Sequence, residues 1–214
     1  VHGDYRHWLN EAGLDAVTNY ECYKGLYSSH VDRNFHEIAY SLNRQFGPDG
    51  MYRGKLLYNF ADNHDVDRVA SSLDNARDLY SLYAILFTMP GIPSLYYGSE
   101  WGMKGRRTEY SDEELRPALE RPLEAHRAPQ PDLPRAIKKL AELREAHLPL
   151  RLGDYRQLHV AAEQLVFERS YGASSVVVGI NAAAHEVELE VTDRSGKTMS
   201  LRIPANWLTV LSTD

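Results

Sequence analysis

Along the first two-thirds of the chain, apolar residues alternate between helical spacing and short unbroken runs. Phe35, Ile38, Ala39, Leu42 and Phe46 fall on one face of a helix over 31–46, and Gly47-Pro48-Asp49-Gly50 breaks it. Lys55 to Ala61, KLLYNFA, has the length and composition of a buried strand. A second helix is expected over about Asn75 to Thr88, with Leu79, Leu82, Tyr83 and Leu86 inward and Met89-Pro90-Gly91 as its stop. Ile92 to Tyr97 reads as another strand, closed by Gly98. The polar stretch 103–132 carries Pro117, Pro122, Pro129 and Pro131, and its length suggests a functional loop or an insertion. Leu133, Ile137, Leu140 and Leu143 then mark a strong helix.

After Gly153 the period changes. Val187, Leu189 and Val191 alternate with Glu188 and Glu190, and Met199, Leu201 and Ile203 alternate with Ser200 and Arg202. Asp193-Arg194-Ser195-Gly196 is a hairpin turn between the two runs. The pattern predicts a parallel α/β part, residues 1–154, then a small antiparallel β domain, residues 155–214, with the boundary near 150–156. The α/β part offers about three strands where a closed barrel needs eight. An open sheet of that size leaves two unpaired edges.

Composition narrows the function. The net charge of −6 leaves little room for an extended basic surface and argues against nucleic acid as a partner. No apolar run approaches the length of a membrane-spanning helix. Val1-His2-Gly3-Asp4 does not read as a secretory leader. The single cysteine, Cys22, excludes an intrachain disulfide and reads as a buried small hydrophobe, with a lone nucleophile as the alternative. One cysteine fits a bacterial cytoplasm without establishing it. The 14 Tyr and 3 Trp supply rings for the core or for stacking on sugars.

The chemistry gathers in Asn59-Phe60-Ala61-Asp62-Asn63-His64-Asp65, where a strand ends. In parallel α/β folds catalytic groups collect at strand C-termini, where the loops converge on one mouth. Three readings stay open: a carboxylate and imidazole that position a polar substrate, a polar turn with a capping aspartate, or a metal site built from Asp62, His64 and Asp65. The last lacks the spacing of an EF-hand or zinc motif.

The order of motifs resembles the α-amylase family of retaining glycosidases (glycoside hydrolase family 13). NFADNHDVDRVAS looks like its last active-site segment, after barrel strand seven, and MPGIPSLYYGSEWGMKG like the segment around strand eight. LDAVTNYECYKGLYSS is similar to strand six and the loop after it, and HGDYRHWL to the segment downstream of the acid/base glutamate of strand five. AIKKLAELREAHLPLRLGDYRQL is similar to the last barrel helix and the lead into a C-terminal sandwich.

The resemblance implies an α/β partial TIM barrel, about strands six to eight with flanking helices, then an all-β antiparallel sandwich. It implies that Asp65 is the carboxylate that stabilises the transition state, that His64 hydrogen-bonds the reacting sugar, and that Asp112 and Arg116 hold the neighbouring sugar. A surface ion pair is the alternative for Asp112 and Arg116. Trp101 and Arg68 are cleft-lining candidates, each with a structural alternative, and His2 and Asp4 are either at the mouth or in a surface loop. The nucleophilic aspartate, the acid/base glutamate, the inserted substrate-binding domain and the usual calcium ligands have no match here, so no metal or cofactor is implied within the chain. A retaining glycosidase needs two carboxyl groups about 5–5.5 Å apart, so Asp65 alone is insufficient. The expected substrate is an α-glucan or maltooligosaccharide, and the expected partner is the upstream half of the same protein or a second copy covering the sheet edges. A non-catalytic sugar-binding or self-associating module is the rival reading.

Overall fold

The computed structural model describes residues 4–119 and 128–213. His2, Pro122 and part of the polar stretch 103–132 therefore lie outside the described residues.

Two packed helices, α1 (Tyr20–Val31) and α2 (His36–Phe46), stand where the pattern suggests one helix after a loop. Asn19 explains the earlier start: its side chain caps α1 by accepting from the Cys22 N–H. The chain then breaks at Arg33, whose φ is +49°. The strand expected over Lys55–Ala61 is shorter, β1 (Tyr58–Phe60), and that over Ile92–Tyr97 is β2 (Ile92–Ser94). They pair in parallel, Tyr58 with Ile92 and Phe60 with Ser94. Between them run α3 (Val69–Ser72) and α4 (Asp78–Thr88). The segment before α1 contributes one parallel bridge, Thr18 with Tyr58. A strand paired on one side only has half its ladder, so short pairing is the physical result of a small open sheet.

A buried polar cluster holds these pieces in register. Asn19 donates to Gln45 Oε1 at 2.8 Å and to Asn59 Oδ1 at 2.8 Å, and Asn59 donates to the Pro90 carbonyl at 2.8 Å. Cys22 is fully buried beside Gln45, and burial pushes its thiol far up, so it is an inert core residue.

Helices α5 (Leu133–Ala146) and α6 (Leu148–Leu152) lead into six strands. Strands β3 (Asp154–Val160), β4 (Gln164–Tyr171), β5 (Ser174–Asn181) and β8 (Trp207–Ser212) form an antiparallel sheet in that order. Strands β6 (Val187–Thr192) and β7 (Thr198–Ile203) form a ribbon joined by the Asp193–Gly196 turn. The four-stranded sheet has two apolar faces. Leu165, Phe167, Val178 and Leu208 join one core with Leu42, Leu82, Ile85 and Leu150 of the helical part. Val166 and Val177 face the other way and pack on Val191, Leu201 and Ile203 of the ribbon. Alternation along β4 and β5 sends successive side chains to opposite faces, and each face is covered.

Candidate active site

Asp62 ends the β1 segment and turns the chain. It is 3 % exposed; its carboxylate accepts from the Val69 N–H at 2.8 Å and from Ser99 Oγ at 2.8 Å. Burial raises its pKa, opposed by those hydrogen bonds and by the Arg68 charge. Asp62 is therefore a buried brace of the turn, while Asp65, three residues on, remains at the surface. The two acids of one short motif divide into a strut and an exposed group.

Arg68 locks the same loop from beneath. It is fully buried, donates to the carbonyls of Tyr97 (2.5 Å) and Leu115 (2.9 Å) and to Ser99 Oγ (3.1 Å), and lies 4.2 Å from the centre of the Tyr96 ring. Its Nη1 and Nη2 tie the 62–69 loop to the segment after β2 and to the turn Glu113–Leu115, while its Nε is buried without a hydrogen-bond partner. Arg68 is named as a cleft-lining candidate by the sequence; here it is buried beneath the loop.

That bracing brings Asp65, His64, Asp112 and Arg116 together. Arg116 Nη2 lies 3.1 Å from Asp65 Oδ1 and 3.0 Å from Asp112 Oδ2, and its Nε donates to the His64 carbonyl at 3.0 Å. His64 Nε2 is 3.3 Å from Asp65 Oδ2. Arg116 is thus more than half of a local ion pair, since it ties two loops through one guanidinium. The Asp65 side chain is 50 % exposed, and its oxygens, each with one protein partner, keep lone pairs open to solvent. Trp101 ends the turn Ser99–Trp101 and is half-buried; its carbonyl accepts from the Gln130 N–H. Tyr97, 40 % exposed, donates to the Pro117 carbonyl and flanks the cluster. Asp4 is exposed and pairs with Arg6, which pulls its pKa down to about 2.

The neighbouring acids are committed. Asp67 is held by Arg106 at 3.1 Å and by the Arg107 N–H at 2.8 Å, and Asp112 is held by Arg107 and Arg116. Among the described residues no three His, Cys, Asp or Glu side chains converge in a way that could hold a metal ion. Nothing in the sequence singles out Ser99 or Leu115. Their signal is weak, because a serine that joins two buried charges and a leucine that offers a carbonyl look like ordinary loop residues.

Comparison with known proteins gives the chain a family. Residues 4–149 match the model for the α-amylase catalytic domain, and the chain belongs to that family. A cyclomaltodextrin glucanotransferase of Geobacillus stearothermophilus is 25 % identical over 186 residues, covering 86 % of this chain and 24 % of that protein. A second, from Niallia circulans, is 30 % identical over 122 residues, 57 % of this chain and 16 % of its own length. Among solved structures, the cyclic α-maltosyl-(1→6)-maltose hydrolase of Arthrobacter globiformis superposes with a TM-score of 0.79 at 21 % identity, over 97 % of this chain and 47 % of that one. The debranching enzyme of Nostoc punctiforme gives 0.75 at 22 % identity, over 100 % and 49 %. The chain spans about a quarter of the first of these relatives and about half of the solved structures.

Proposed function

We propose that this chain is the C-terminal part of a longer retaining glycosidase that cleaves or transfers α-linked glucosyl units in α-glucans and maltooligosaccharides. The observation that carries the reading is the Asp65 cluster: a half-exposed carboxylate after a parallel strand, flanked by His64 and bridged through Arg116 to Asp112. The parallel pair with its helices is read as the last strands of a (β/α)8 barrel ending near residue 154, and the sheet and ribbon from 155 onward as a β-sandwich. In this scheme Asp65 accepts hydrogen bonds from sugar hydroxyls and stabilises the positive charge that develops at the anomeric carbon. His64 donates to the same sugar, and Arg116 holds the Asp65 carboxylate in position. In this scheme the nucleophile and the acid/base come from the upstream part of the longer protein, since the family resemblance assigns neither role to a residue of this chain.

The chain alone is therefore expected to be inactive on maltooligosaccharides, and to gain activity when mixed with the upstream half. Assaying both preparations with wild type and Asp65→Asn decides the matter. Activity in the chain alone that Asp65→Asn abolishes would mean that a different pair of acids works here.

The free edges give a second reading some footing. Tyr58, Ile92, Leu95 and Tyr97 are each at least 36 % exposed around the parallel pair. A module that self-associates through this sheet without catalysis would show the same surface, and would fail to gain activity on mixing.

A further inference from the structure

Cationic side chains gather at the end of the parallel pair opposite Asp65. A cavity of about 150 Å³ opens there between the segments leading into β1 and β2, helix α6, and strands β3 and β4. Its wall holds Arg53, Lys55, Arg151 and Arg169 against a single carboxylate, Asp154. Arg53 takes that carboxylate, with Nη2 2.7 Å from Oδ2. Lys55, Arg151 and Arg169 have no acidic partner within ion-pair distance among the described residues, in a chain whose net charge is −6. Like charges that outnumber the one carboxylate beside them repel one another, and the repulsion grows as water is excluded.

Arg169 makes the case specific. It is 1 % exposed on β4 and donates through Nη1 to the Thr88 carbonyl and through Nη2 to the Gly153 carbonyl, 2.9 Å away. Its Nε is buried with no hydrogen-bond partner. A second buried guanidinium, Arg144, stands nearby and spends its donors on the carbonyls of Phe87, Leu150 and Gly91. Burial and the neighbouring Arg144 push the Arg169 pKa down to about 9, and burial with Arg151 pushes Arg144 down to about 10. The buried Arg169 charge, two exposed cations and a bounded cavity share one place. A neutral sugar would relieve none of the repulsion, whereas an oxyanion would offset part of it. A cavity of this volume accommodates a group about the size of a benzene ring, so it suits one tetrahedral oxyanion and not an oligosaccharide.

We propose that this cavity binds a phosphate-sized oxyanion, either inorganic phosphate or the phosphate of a small phosphoester, with Lys55, Arg151 and Arg169 as its cationic wall. Arginine and lysine supply the charge and the N–H donors that such an anion needs. The bound anion would join the segment before β1, helix α6 and strand β4, and so clamp the antiparallel sheet to the parallel pair.

The test is titration of the full chain with inorganic phosphate, read by phosphorus NMR and by thermal denaturation against sodium chloride of equal ionic strength. Phosphate is expected to shift and broaden its resonance saturably, and to raise Tm by several degrees beyond the salt control. Lys55→Ala/Arg151→Ala, at two exposed positions, should weaken binding at least about tenfold while leaving the circular dichroism unchanged. Should that variant unfold, Lys55→Gln alone should still weaken binding about threefold. Lys138→Ala/Lys139→Ala, on the exposed side of α5, should bind as the wild type does. Glucose 6-phosphate that displaces inorganic phosphate with higher affinity makes a phosphoester the source, and weaker displacement makes it free phosphate. No stabilisation beyond the salt control, or unchanged affinity in the double variant, would overturn the proposal. So would loss of phosphate binding when the upstream half is added, since the cations would then serve an acidic segment of the protein itself.

Discussion

At the scale of single residues, a buried charge decides more than an exposed one. Arg68 and Asp62 sit under the candidate site and share Ser99 Oγ as a partner. The Arg68 charge also favours the ionised Asp62, so removing either leaves the other less compensated in the interior, at a cost of about 1–3 kcal/mol. Arg68→Met is therefore expected to lower the urea midpoint sharply, and Arg68→Met/Asp62→Asn to cost clearly less than the sum of the two single variants. Additive losses would mean that the two groups do not act as a unit. His30 carries a different signature. It is 1 % exposed, its Nδ1 is 2.7 Å from the Leu26 carbonyl, its Nε2 is 3.0 Å from Ser81 Oγ, and burial pulls its pKa down to about 4. The unfolded chain takes up that proton near pH 6.5 and the folded chain only near pH 4. The lowered value favours the fold fully above pH 6.5, and that contribution is lost as pH falls toward 4, by at most about 1.4 kcal/mol per pH unit. His30→Gln should flatten this limb of the stability profile, as read from urea midpoints between pH 7 and 4.

At the scale of elements, legibility from the sequence depends on whether the signal is periodic. The Asp193–Gly196 hairpin and the helix α5 follow from alternation and helical spacing, and they stand where the pattern puts them. Helix α1 escapes such a reading because its apolar positions are sparse, and its start depends on one capping side chain, Asn19. The strands are shorter than their composition suggests because pairing partners set where a short parallel ladder stops. In the site, Asp65 and His64 are legible because they sit in a motif. The buried role of Arg68 is not, because the sequence does not show which carbonyls converge on a guanidinium. Gly91 belongs to this scale too. Its φ is +108°, and a Cβ there would lie 2.4 Å from Asn59 Nδ2 and 2.5 Å from the Leu57 carbonyl. Gly91→Ala must displace the cluster that joins β1 to the start of β2, so a loss of at least about 2 kcal/mol is expected. Gly172→Ala has φ +60° and open space around it, so only the backbone term of about 1 kcal/mol applies. Equal losses in the two variants, measured by chemical denaturation, would show that the contact at Asn59 does not constrain the loop.

At the scale of the molecule, the two faces of the four-stranded sheet are covered, whereas the parallel pair is not. Strand β1 has β2 on one side and a single bridge from Thr18 on the other, and β2 pairs with β1 alone among the described residues. Unpaired N–H and C=O groups flanked by exposed Tyr58, Ile92 and Leu95 form a template for another strand. A longer protein of the α-amylase family would supply that strand from its upstream part; in its absence a second copy of this chain can take the place. Two measurements probe this surface. Light scattering over a concentration series should show reversible self-association, and adding the upstream half should dissolve it in favour of a one-to-one complex. Ile92→Lys places a charge on the open edge, 40 % exposed in the chain as it stands, so it should leave the fold intact and weaken both associations. If Ile92→Lys left both associations unchanged, the contact would lie elsewhere. A monomer at every concentration that also ignores the upstream half would mean that this edge recruits nothing, and the reading of the parallel pair as the closing strands of a barrel would fall with it.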